Sequence, residues 1–96
     1  MNIKFIEVFG HGHGSASRNY SLRTVYINPN HVVCLREDSD TSKLLSEGRL
    51  PDELDSRQTF TCMSINKGTH GQDIIIIGPV EEIQKKLQSH RQLLKG

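Results

Sequence analysis

Residues 74–77 are four consecutive isoleucines, and no other feature of the 96-residue sequence constrains the fold as strongly. Side chains alternate between the two faces of a β-strand, so a strand built from these residues is apolar on both faces. Such a strand belongs near the centre of a sheet or under a helix, where neither face meets water. The run is also far shorter than the roughly 20 apolar residues that span a bilayer.

A C-terminal helix is predicted directly after this strand, beginning at Pro79. Its apolar stripe consists of Val80, Ile83, Leu87 and Leu94, which recur at helical spacing. Proline loses no hydrogen bond at the first helical position. Glu81 and Glu82 lie in the first turn, and each precedes a lysine, Lys85 or Lys86, by four residues. We expect this helix to cover one face of the sheet.

Four further segments have the composition of strands. They are residues 3–9, 22–28, 31–36 and 58–65. Residues 28–30 (Asn-Pro-Asn) indicate a tight turn, and residues 66–71 a hairpin loop with two glycines. The sequence therefore predicts one α+β domain over residues 1–96, with about five strands in a small, curved, mainly antiparallel sheet or partly open barrel. The predicted core is Ile3, Phe5, Val25, Ile27, Val33, Leu35, Phe60, Ile75, Ile77, Ile83 and Leu87.

A polar insertion separates the third and fourth predicted strands. Residues 37–55 contain seven acidic and two basic side chains, whereas the whole chain has a formal charge of +1. Asp40 is predicted to cap a short helix over residues 41–47, with Leu44 and Leu45 as its apolar anchors. A long insertion with little core contact is typical of a functional or a mobile loop. Its acidic side chains either are solvated or meet a basic partner.

The order of these elements resembles that of the small flagellar FlbD-like family. The resemblance is carried by the Tyr-Ile-Asn-Pro-Asn turn at residues 26–30, the apolar strand after it, and the helix that opens Pro-Val-Glu-Glu at residues 79–82. It covers about half of the chain, residues 3–9, 24–37 and 58–88. LytTR-type DNA-binding domains show a similar alternation of short strands and a final helix. The resemblance implies this architecture, and the chain departs from both families in its His-Gly-His-Gly segment and its acidic insertion.

Metal and catalytic chemistry have weak signals in the sequence. His11 and His13 could face one side of a strand and bind zinc with His31 or His70 as a third ligand. A glycine-rich, solvated loop accounts for the same residues, so no metal or other cofactor is predicted, and whether His11 and His13 bind one stays open. The sequence holds no P-loop and no nucleophile elbow. The prediction is a non-catalytic protein, with enzymatic activity left undecided.

The two cysteines, Cys34 and Cys62, lie far apart, each within an apolar-rich segment. This setting favours reduced, buried thiols, with a disulfide as the alternative. Cys34 follows His31 by three residues and so lies on the opposite face of a regular strand. The sequence therefore argues against a thiol nucleophile that is activated by this imidazole.

The most suggestive binding residues are basic and aromatic. Arg18, Tyr20 and Arg23 lie close together in sequence, and Arg36 and Lys67 could line the same rim of the sheet. Arginine pairs with phosphate through two hydrogen bonds, and tyrosine can stack on a base. The alternative is a loop whose arginines are simply solvated. A net charge of +1 supplies little long-range attraction to a polyanion.

The sequence thus predicts a binding or regulatory module that acts through protein–protein contacts, with a second copy of the chain as one partner. Small sheets are stabilised when their open edges pair. The alternative is a nucleic-acid-binding domain that uses a basic patch around Arg18 to Arg23. The apolar opening segment is interrupted by Lys4 and Glu7 and is followed by no small-residue cleavage site, so a signal peptide and a membrane partner are not expected, and the predicted location is cytoplasmic.

Overall fold

The structure, a computed structural model, describes residues 2–11 and 19–95, with the side chains of residues 2–10, 20–66 and 68–89. Its elements are β1 (Ile3–His11), β2 (Asn19–Ile27), a 3₁₀ turn (Pro29–His31), β3 (Val32–Glu37), α1 (Ser39–Ser46), β4 (Phe60–Lys67), β5 (His70–Ile77) and α2 (Val80–Lys95). All strand pairs are antiparallel, in the order β2-β1-β5-β4-β3. The predicted α+β fold class with five strands in an antiparallel sheet is confirmed, and the sheet is open rather than closed into a barrel.

The isoleucine run lies in β5, the central strand of the sheet. Ile74 and Ile76 belong to a core beneath α2, whereas Ile75 and Ile77 pack against a second core on the opposite face. We call these two sides the helix face and the insertion face, the latter covered by residues 44–54. Both faces of β5 therefore pack against other parts of the chain at residues 74–77, as four consecutive isoleucines require, whereas residues 70–73 are exposed.

The helix face carries the larger core. Its buried residues are Ile3, Phe5, Ile27, Met63, Ile65, Ile74, Ile76, Ile83 and Leu87. Ile83 and Leu87 come from α2, so the predicted helical stripe is confirmed at these positions. Neither Glu81 nor Glu82 forms an ion pair with the lysine four residues later among the described side chains. The ammonium nitrogen of Lys86 instead lies 5.7 Å from the centre of the Phe5 ring.

The acidic insertion packs on the insertion face and forms the second core. Leu50 is buried there with Val8 and Phe60. Three partly buried leucines of the insertion, Leu44, Leu45 and Leu54, pack around them, as does Leu22 of β2. The expectation of an insertion with little core contact is therefore wrong, because leucines in the last turn of α1 and in the segment after the helix reach the sheet.

Helix α1 begins at Ser39, two residues earlier than the sequence predicted, and a different aspartate caps it. The Asp38 carboxylate, rather than Asp40, accepts hydrogen bonds from the backbone N–H groups of Asp40 at 3.1 Å and Thr41 at 3.3 Å. It also accepts one from the Thr41 hydroxyl at 2.6 Å. Asp38 donates its own N–H to the carbonyl of Phe60 at 3.0 Å, which ties the start of the helix to β4. The insertion is thus joined to the sheet at Asp38, where the helix begins.

Val33 is the predicted core residue that the structure places in solvent, with 65% of its surface exposed. The β3–β4 register shifts between Val32, opposite Ile65, and Cys34, opposite Ser64. A bulge of this kind inserts one extra residue into a strand and breaks its alternation. Val32 and Leu35 therefore pack against the core and Val33 does not.

Candidate protein-binding edge

Strand β2 forms a long, regular edge of the sheet. Its nine residues pair with β1 without a register shift, from Ile27 opposite Ile3 to Asn19 opposite His11. No strand in the described part of the chain pairs with its other side. An edge of this kind presents a row of unpaired backbone N–H and C=O groups. It is therefore a template on which another strand can form.

The opposite edge is less suited to pairing. Strand β3 has six residues and carries the bulge at Val33. Short strands and bulges are devices that blunt a sheet edge, as are lysine and proline. Strand β2 contains neither lysine nor proline. Of the two edges, β2 is the longer one and the one without a bulge.

Tyr26 is the large apolar side chain that β2 exposes, with 62% of its surface accessible. Tyrosine is enriched at protein interfaces because its ring buries a large area and its hydroxyl stays polar. The predicted core and the predicted binding group both omit it. The sequence pattern alone does not show that the strand carrying Tyr26 lies at a free edge of the sheet.

A depression of about 420 Å³ lies beside β2 on the helix face. Its polar lining includes Glu7, Arg23, His31 and Gln72, and its apolar lining includes Val25, Ile27, Ile65 and Ile74. A partner strand added to an edge places every second side chain over one face of the sheet. The depression is thus in reach of a side chain from a strand paired with β2.

The Glu7 side chain lies on the helix face of β1 and is only 7% exposed. Arg23 donates from Nε to Oε1 of Glu7 at 2.8 Å and from Nη2 to Oε2 at 3.5 Å. The Arg23 guanidinium also lies 3.8 Å from the centre of the Phe9 ring. Burial of a charge is costly unless it is paired and hydrogen-bonded, so Arg23 holds the Glu7 charge inside the domain. Sequence reasoning missed Glu7, although an acid with the same strand parity as Ile3 and Phe5 was the available signal.

The predicted binding residues do not assemble on one rim among those the structure describes. Tyr20 is partly buried against the core of the insertion face, whereas Arg23 lies on the helix face. Arg36 lies on β3, four strand spacings or about 19 Å from β2. Arg18 lies outside the described residues, as does the side chain of Lys67.

Arg36 instead lies among sulfur and carboxylate groups. Its Nη1 is 3.7 Å from the Cys34 sulfur, and its Nη2 is 3.4 Å from both the Cys62 sulfur and Oδ2 of Asp73. The Ser64 hydroxyl donates to Oδ1 of Asp73 at 2.7 Å. We call Cys34, Arg36, Cys62, Ser64 and Asp73 the thiol cluster. It lies on the part of the insertion face that the leucines leave open.

Both cysteines are free, and the prediction that both are buried is wrong for Cys34, which is exposed. The bulge before Cys34 turns this residue to the insertion face, where no described leucine covers it. Cys62 is partly buried. Burial raises the pKa of the Cys62 thiol above its usual value, and the nearby Asp73 carboxylate raises it further, while Arg36 acts in the opposite direction.

The described residues contain no group of three or more His, Cys, Asp or Glu side chains close enough to hold a metal ion. The predicted pair His11 and His13 lies outside the described side chains. Within the described part, no helix has the length and apolar character needed to cross a membrane.

Comparisons of this chain with protein-family models, with curated proteins and with solved structures found no match. The FlbD-like resemblance accordingly stays a prediction that depends on the turn, strand and helix pattern.

Proposed function

We propose that the protein is a non-catalytic, cytoplasmic module that acts through protein–protein contacts, and that a second copy of the chain pairs with it through β2. The observation that carries this proposal is the nine-residue edge of β2, regular along its whole length. Strand addition gives affinity through main-chain hydrogen bonds and needs no pre-formed pocket. Two antiparallel β2 strands related by a two-fold axis would join the two five-stranded sheets into one, with both α2 helices on the same side.

The charge on β2 supports pairing of like with like. Arg23 is the one ionised side chain that β2 carries at neutral pH, and it is neutralised by Glu7. Like charges directly opposite each other destabilise a strand pair, so an edge with no unpaired charge accepts a copy of itself. The same ion pair weighs against the nucleic-acid alternative, because Arg23 is engaged with a carboxylate rather than free for a phosphate.

Lysine at position 26 should weaken self-association. The Tyr26→Lys variant removes an aromatic contact and places a positive charge on each of two paired edges, for which we expect at least a tenfold rise in the dimer dissociation constant, or about 1.4 kcal/mol. Sedimentation velocity over a range of concentrations measures this constant, and circular dichroism checks that the variant is folded.

Val33→Lys is the matched control. Val33 is 65% exposed and Tyr26 is 62% exposed, and they lie on opposite edges of the sheet. The control should associate like the wild type. A wild-type protein that stays monomeric up to millimolar concentration would refute the proposal, and so would dissociation caused by Val33→Lys but not by Tyr26→Lys.

A further inference from the structure

We propose that Cys34 and Cys62 form a two-thiol modification site that reacts with small disulfides such as oxidised glutathione and closes into a Cys34–Cys62 disulfide. The sulfur atoms of both residues contact the same guanidinium, that of Arg36, at 3.7 and 3.4 Å. Nothing in the proposed pairing of β2 uses these residues, which lie near the opposite edge of the sheet.

The register makes the two cysteines neighbours. Cys34 lies opposite Ser64, and Cys62 lies opposite Arg36, so the cysteines are diagonal neighbours on one face of adjacent strands. Diagonal neighbours have Cα atoms about 7–8 Å apart, whereas a disulfide needs about 4.4–6.8 Å. Closure therefore requires the Cα atoms of Cys34 and Cys62 to approach each other by about 1 Å. The bulge just before Cys34 interrupts the ladder where this shift is needed.

The two thiols differ in access, which assigns their roles. Cys34 is exposed and is the thiol that an external disulfide can reach, whereas Cys62 is partly buried beside it. Arg36 places a positive charge next to both sulfurs, and a neighbouring cation stabilises a thiolate. Cys34 is therefore the attacking thiol and Cys62 the resolving thiol.

The chemistry is two successive thiol–disulfide exchanges. The Cys34 thiolate attacks one sulfur of oxidised glutathione, a mixed disulfide forms, and one glutathione thiolate leaves. Cys62 then loses its proton to solvent and attacks the Cys34 sulfur, which forms the Cys34–Cys62 bond and expels the second glutathione thiolate. Two protein thiols are oxidised, and one glutathione disulfide is reduced to two thiols.

Intact-mass spectrometry of the full chain treated with oxidised glutathione tests the site. The wild type should lose the mass of two hydrogen atoms, whereas Cys62→Ser should stop at a single glutathione adduct on Cys34. Cys34→Ser should react about tenfold more slowly than Cys62→Ser, because its remaining thiol is partly buried. Arg36→Ala should slow the first exchange, and Arg36→Lys should restore part of the rate because it keeps the charge.

Three results would overturn this proposal. The first is that the wild-type protein stops at the single glutathione adduct expected of Cys62→Ser and does not form the internal disulfide. The second is a protein that forms disulfide-linked dimers through Cys34 in place of the internal bond. The third is no reaction under conditions that oxidise a small model thiol. Peptide mapping without reductant identifies which cysteines are joined, and circular dichroism shows that the serine variants are folded.

Discussion

Replacing Phe60 with alanine should lower the free energy of unfolding by about 3–5 kcal/mol, the range for large-to-small changes of a buried aromatic side chain. Phe60 has no exposed surface and belongs to the core beneath the insertion, together with Val8 and Leu50. Its removal leaves a cavity between the sheet and the insertion that the surrounding leucines fill only in part. Urea denaturation followed by circular dichroism measures the loss.

The control for this prediction is Val33→Ala, which shortens an apolar strand residue that lies in solvent. A surface change of this kind is expected to alter the free energy of unfolding by no more than about 0.5 kcal/mol. If Phe60→Ala cost as little as Val33→Ala, the insertion would not be packed on the sheet, and the second core would be absent in solution.

Removal of the Arg23 side chain should cost about 3 kcal/mol, the lower end of the range for breaking a buried ion pair. The lower end applies because the Arg23 side chain is 50% exposed, although the Glu7 side chain is only 7% exposed. Arg23→Ala leaves the Glu7 carboxylate in the core without its two hydrogen bonds. The same denaturation experiment measures the effect.

A second substitution shows whether the loss of stability comes from the buried Glu7 charge that is left without a partner. Adding Glu7→Gln to Arg23→Ala should recover a large part of the lost stability, because a neutral amide is less costly to bury than a carboxylate. The contrary result would be that Glu7→Gln lowers the stability of Arg23→Ala still further. Arg23 would then stabilise the domain by packing on Phe9 and not by neutralising Glu7.

The sequence predicted the parts of the fold that periodicity controls. Four isoleucines in a row predicted a strand covered on both faces, and the apolar stripe from Ile83 to Leu87 predicted a helix over one of them. Periodicity failed where the register breaks. A strict alternation put Val33 in the core, but one extra residue in β3 moved it to the surface.

The insertion and the site were harder to predict for a different reason. The sequence named Leu44 and Leu45 as anchors of residues 37–55 but missed Leu50 and Leu54, because these two are isolated in a charged segment and pack only after α1 and the following turns have formed. The prediction that Tyr20, Arg23 and Arg36 form one binding surface assumed that residues close in sequence, or alike in charge, lie on the same surface. Strand parity sends Tyr20 and Arg23 to opposite faces, and the strand order sends Arg36 to the opposite edge.

Amide hydrogen exchange along β2 tests the proposed function most directly, because it reports on the backbone groups that would form the contact. In an edge strand every second N–H points away from the sheet. We predict that these outward amides of β2 exchange more slowly at millimolar than at low micromolar concentration, while the outward amides of β3 do not change. Exchange from β2 that is the same at both concentrations, or protection that appears at β3 instead, would contradict self-association through β2.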